Sequence, residues 1–114
     1  MADAQDLASQ KCEPCSGDSP PVPETEWPTL LEGLAGWEVR KENDVPMLTR
    51  VYRRKNFLQA LDLANQVGEL AEAENHHPRL IVEYGRLTVS WWTHAIGGLH
   101  RNDFIMAART DGLA

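Results

Sequence analysis

Arg79-Leu80-Ile81-Val82-Glu83-Tyr84-Gly85-Arg86-Leu87-Thr88-Val89-Ser90-Trp91-Trp92-Thr93-His94 is the stretch whose reading decides the fold. Residues 79–84 alternate polar and apolar, and residues 86–94 do the same. A period of two marks a strand with one buried face. Gly85 separates the two runs, so the stretch reads as a β-hairpin. In its second arm Leu87, Val89, Trp91 and Thr93 share one face. Thr88, Ser90, Trp92 and His94 share the other.

Upstream, Asn56 caps the longest periodic segment. Phe57, Ala60, Leu61, Ala64, Val67 and Ala71 recur at helical spacing and form one apolar stripe. Helix propensity stops at Asn75-His76-His77-Pro78, because Pro78 pushes His77 out of the α region. Earlier still, residues 37–40 and 47–54 read as two strands joined by an Asn43-Asp44 turn. Thr25 can cap a short helix over residues 26–34, with Pro28 tolerated in its first turn and Gly36 ending it. Downstream, residues 95–99 form a loop around Gly97-Gly98. His100 caps or flanks a closing helix over residues 102–109, which Asp111-Gly112 ends. Asp103 falls in its first turn, where the helix dipole favours a negative charge. The order is α-β-β-α-β-β-α. The expected class is α+β, with one four-stranded antiparallel sheet and its helices on a single face.

Residues 1–23 read differently. They hold four of the seven prolines, and Leu7 and Val22 are their only sizeable aliphatics. Such a segment buries too little apolar surface to offset its ordering entropy, so it is expected to be a flexible tail before a domain at residues 24–114. Cys12-Glu13-Pro14-Cys15 lies in it. A structural zinc usually takes four ligands, and no second pair is present. A redox pair needs a βαβ setting that is also missing, so no essential chemistry is expected there.

The chain of 114 residues carries 11 Lys+Arg against 17 Asp+Glu, a net charge of −6. The acidic balance argues against direct contact with nucleic acid, whose phosphates need a cationic footprint. No run approaches the ~20 apolar residues of a membrane helix. No cationic start leads into an apolar segment, so neither a membrane nor a secretory signal is expected. Two cysteines cannot staple a small secreted scaffold, which points to the cytoplasm. A core this thin often gains stability by oligomerising.

Phosphate loops and metalloprotease or hydrolase motifs are absent. The chemistry left is in histidines. His76 and His77 follow a helix end and His94 closes a strand on its more polar face. Hairpin geometry brings His94 back toward Pro78-Arg79, so the three can cluster. Imidazole titrates near neutrality, so such a cluster can pair one acid with one base. Three histidines also suit zinc, although neighbours in an extended chain point to opposite sides. A third reading is purely structural, with His77 fixing the turn and His94 hydrogen-bonded at a strand end. Trp91 and Trp92 read first as core or interface residues.

Glu72-Ala73-Glu74-Asn75-His76-His77-Pro78, then Tyr84, His94 and Asp103, resembles the signature of the pterin-4a-carbinolamine dehydratases. The surroundings agree: Leu34-Ala35-Gly36-Trp37, Asn56-Phe57, and Gly98-Leu99 leading to Asp103. Asn75 stands where some relatives have Asp or Gly. The resemblance runs from about Glu24 to the last residue. It implies the same sheet-and-helix fold, assembly as a homodimer or homotetramer, and removal of water from a 4a-hydroxytetrahydropterin to give a quinonoid dihydropterin. That reaction recycles the cofactor of an aromatic amino acid hydroxylase. The implied enzyme needs no metal or organic cofactor, since the pterin is its substrate. The implied catalytic set is His76, His77 and His94, with His76 and His94 as the acid–base pair and His77 orienting the pterin. Glu72, Pro78, Thr93 and Asp103 are implied substrate-binding positions. Some members also serve as dimerisation partners of a transcription regulator, a non-enzymatic alternative.

Overall fold

The structure is a computed structural model, and it describes residues 4–10 and 20–114. Four strands form one antiparallel sheet: β1 (Glu38–Glu42), β2 (Val45–Arg53), β3 (Arg79–Glu83) and β4 (Arg86–Trp91), in the order β1-β2-β4-β3. Both expected hairpins are present. Asn43 and Asp44 take left-handed backbone (φ 52° and 66°) and close β1 onto β2 with Glu42 opposite Val45. That is the two-residue turn whose twist suits a hairpin. Gly85 (φ 77°) closes the other, and a Cβ there would meet the Arg54 carbonyl at 3.3 Å.

Leu48, Tyr52, Leu87, Val89 and Trp91 are buried on the face covered by the helices α3 (Phe57–Glu74) and α4 (Arg101–Leu113). Helix α3 starts where Asn56 accepts a hydrogen bond from the Gln59 amide at 2.9 Å. It buries Ala60, Leu63, Ala64, Val67 and Ala71. The stripe is therefore rotated from the expected one: Leu63 is inside, while Phe57 is 46 % exposed at the helix start.

Several boundaries differ from expectation for physical reasons. The first helix is a 3-10 turn (Glu24–Glu26) running into a short α2 (Trp27–Leu31), not a helix to residue 34. Helix α4 continues through Asp111-Gly112 to Leu113, because the Asp111 side chain is engaged by Trp37 and Arg50 from outside the helix. Strand β4 stops at Trp91 rather than at His94. Its partner β3 begins at Arg79 opposite Ser90, and Pro78 before it has no N–H to extend the ladder.

Within residues 1–23, Ala4–Ser9 forms a helix (α1), contrary to a tail without order over that span. Leu7 is fully buried. Arg109 of α4 donates to the carbonyls of Ala8 (3.1 Å) and Gln10, and also pairs with Glu74. Cys12 and Cys15 lie outside the described residues.

Candidate active site

The three histidines arrive from two directions. Helix α3 ends at Asn75 in left-handed backbone (φ 49°), a conformation that asparagine tolerates. The His76 amide folds back onto the Ala71 carbonyl at 3.1 Å, which fixes where its side chain emerges. From the other side, β4 passes through Thr93 into a single 3-10 turn (His94–Ile96). Thr93 and Gly98 pair across the base of that turn. His94 thus opens a turn rather than closing a strand.

Asp103 joins the two segments. It is completely buried in the first turn of α4. Its Oδ1 lies 2.7 Å from His76 Nε2. Its Oδ2 accepts from Thr93 Oγ1 at 2.8 Å and from the His100 amide at 2.9 Å. His100 completes a capping box, its Nδ1 accepting from the Asn102 amide at 3.0 Å. Asp103 therefore serves the helix start and the histidine at once.

His94 Nε2 lies 3.3 Å from the His77 carbonyl oxygen. His77 Nε2 faces Glu72 Oε2 at 3.4 Å across an open surface. Pro78 is half-buried between His77 and β3. The geometry thus connects His76 with Thr93 and Asp103 in one set, and His94, His77 and Glu72 in an adjoining one. Glu72 holds His77, not His76.

Trp91 and Trp92 each back one histidine. The His76 ring stacks on Trp91 with 5.8 Å between centroids and 4° between planes. The His94 ring lies 4.3 Å from Trp92. Trp91 is also core, fully buried and donating to Thr110 at 3.1 Å. The ring-backing role of Trp92 was available in the alternation that puts Trp92 and His94 on one face.

A carboxylate and a carbonyl only accept hydrogen bonds. To make these bonds, His76 and His94 each donate from Nε2. The His76 side chain is only 11 % exposed, whereas His94 stands open. Two positioned imidazoles, one shielded and one open, are groups of the kind that acid–base chemistry uses. Among the described residues, no three His, Cys, Asp or Glu side chains gather as metal donors.

An α+β layer of one four-stranded antiparallel sheet and its helices is a build shared with a family of dehydratases. The family model for pterin 4 alpha carbinolamine dehydratase matches residues 20–113, and the chain belongs to that family. Two relatives carry the name "Putative pterin-4-alpha-carbinolamine dehydratase". The one from Marinobacter nauticus is 50 % identical over 107 residues, 94 % of this chain and 96 % of the relative. The one from Chlorobium limicola is 53 % identical over 108 residues, 95 % and 96 % of the two chains. The crystal structure of a transcriptional coactivator/pterin dehydratase from Brucella melitensis superposes with a TM-score of 0.74 at 29 % identity, covering 83 % of this chain and 99 % of that one. The chain is accordingly a dehydratase of the lyase class, acting on a pterin carbinolamine. Among the described residues, no helix is long and apolar enough to cross a membrane.

Proposed function

We propose that the chain removes water from 4a-hydroxytetrahydropterin by histidine acid–base catalysis, yielding the quinonoid dihydropterin. Hydroxide leaves poorly, so one imidazole protonates the 4a-hydroxyl as the carbon–oxygen bond breaks. The other takes the proton from the neighbouring ring nitrogen, whose electron pair forms the new double bond. His76 and His94 are that pair, His77 orients the pterin, and Glu72, Pro78 and Thr93 border it. Asp103 acts through His76. The reaction as written needs no metal or organic cofactor. The observation that supports this reading best is the buried Asp103 carboxylate gripping His76 Nε2 at 2.7 Å. A carboxylate so placed fixes ring orientation and tautomer, as it does for other catalytic histidines.

In the cell the product, once a separate two-electron reductant has converted it to the tetrahydropterin, again serves an aromatic amino acid hydroxylase, in the cytoplasm, and the working form is a homodimer or homotetramer. A binding role beside catalysis is the second reading, prompted by the coactivator description of the Brucella melitensis protein. Such a role would not use the imidazoles. The test generates the 4a-hydroxytetrahydropterin with a hydroxylase and follows quinonoid formation by stopped-flow absorbance. The wild-type chain accelerates it, and the His76→Ala/His94→Ala double variant does not. A folded wild-type chain that leaves the uncatalysed rate unchanged contradicts the proposal. A biological effect that survives in the double variant reveals the binding role.

A further inference from the structure

The histidines occupy one end of the sheet, and a second concavity lies toward the other. A cavity of about 490 Å³ opens between the loop of Gly33 and Ala35, residues 50–54 of the β2 segment, and Asp111 of α4. Leu48 pairs with Trp91 near the histidines, and Arg53 pairs with Arg86 beside the Gly85 turn. Those five steps span roughly 17 Å at ~3.4 Å per residue.

Three cationic residues and one anionic residue line this cavity: Arg50, Arg53, Arg54 and Asp111. Arg50 and Arg54 lie over the Tyr52 ring on the helix-covered face, and strand alternation puts Arg53 on the other face, so Arg53 and Arg54 flank the open β2 edge from opposite sides. The four residues sum to +2 in a chain of net −6, and a carboxylate on Ala114 at the rim would still leave the wall positive. Asp111 is already saturated with donors. It accepts from Arg50 at 2.9 Å, from Trp37 at 3.1 Å and from the Tyr52 hydroxyl. Arg50 is held as well by the Ala35 carbonyl at 2.8 Å. Arg54 spends one donor on the Arg53 carbonyl at 2.8 Å, and the Arg53 guanidinium has no partner among the described residues.

The backbone adds donors. The Arg54 amide bonds the Gly85 carbonyl on the β4 side. Antiparallel alternation then turns the N–H groups of Val51 and Arg53 to the opposite edge. Strand β1 covers that edge only as far as Thr49, which pairs with Glu38. Each of these residues also turns a carbonyl the same way, which a ligand hydroxyl or a water can satisfy.

We propose that this cavity binds a small phosphate-bearing anion through Arg53, Arg54 and the free β2 edge. Guanidinium forks match phosphate oxygens in pairs, and backbone N–H groups complete such cradles. The volume suits a small molecule. The acidic balance of the chain disfavours a nucleic acid backbone as the source of the phosphate.

The test is an amide-resolved NMR titration of the full chain with inorganic phosphate and with pyrophosphate, at physiological salt. The site predicts saturable shifts centred on Ala35, Val51 and Arg53, with His76 and Thr93 unmoved. The Arg53→Gln/Arg54→Gln variant weakens binding at least tenfold while dehydration proceeds at the wild-type rate. Shifts that do not saturate, or that centre on the histidines, overturn the proposal. So does unchanged affinity in the double variant. If that variant fails to fold, the wild-type shift map decides alone.

Discussion

His76 Nε2 and Asp103 Oδ1 stand 2.7 Å apart although 27 positions separate them in the chain. Asp103 is fully buried, and its other oxygen is occupied by Thr93 and by the His100 amide. Asp103→Asn keeps the shape but puts an amide where the carboxylate was. If the amide N–H faces His76, Nε2 must accept and the proton moves to Nδ1. We expect kcat to fall by ~10²–10⁴, the usual worth of a positioned acid–base group. Stability should change far less than in Asp103→Ala, which also removes the Asp103 half of the capping box, a bond of the kind worth about 0.5–2 kcal/mol. Steady-state kinetics beside urea unfolding of the two variants separates these effects. Equal kcat in Asp103→Asn and wild type would deny Asp103 its hold on the histidine.

Leu7 is fully buried although it lies in a segment whose composition looks too polar to fold. Truncating a buried leucine typically costs ~2–5 kcal/mol. A short terminal helix can instead detach, which limits the loss to its docking free energy. Leu7→Ala should therefore lower stability by about 1–3 kcal/mol and speed amide exchange on α4. An unchanged urea midpoint would mean that α1 contributes nothing to the fold.

Both successes and misreadings of the sequence have local causes. The second hairpin and α3 were legible because their periods are strong and Gly85, Asn56 and Pro78 mark their ends. His100 and Asp103 were legible at a helix start because both are local features. The α4 end was not, since Asp111-Gly112 looks like a stop and only distant Trp37, Arg50 and Tyr52 hold Asp111 in place. Leu7 was not legible either, because one leucine among polar residues gives no period. At the site, the histidines and Asp103 were visible as a pattern. The division of labour was not: that Glu72 meets His77 while Asp103 meets His76 depends on how α3 and α4 lie against the sheet.

Tyr52 predicts a pH dependence. Its hydroxyl donates to Asp111. Burial first, and then the bond and charge of Asp111, push the phenol well above its ordinary range, against the smaller opposing effects of Arg50 and Arg54. In the unfolded chain a tyrosine releases its proton near pH ~10. Above that pH the folded state keeps a proton that the unfolded state loses, so stability falls as pH rises. The contribution is complete below about pH 10 and is lost progressively above it. Tyrosinate absorbance of the native chain should show Tyr52 silent until unfolding. Tyr52→Phe should have a shallower loss of stability in alkali. A native titration in which Tyr52 ionises in the ordinary range would contradict the hydrogen-bonded geometry.

The most direct measurement takes the single variants His76→Ala and His94→Ala through the stopped-flow dehydration assay, alongside the double variant. The account predicts that each loses ~10²–10⁴ in kcat, and that the double variant is little worse than the poorer single, as expected for residues acting as one unit. Folded single variants that both dehydrate the carbinolamine within a few-fold of wild type would contradict it.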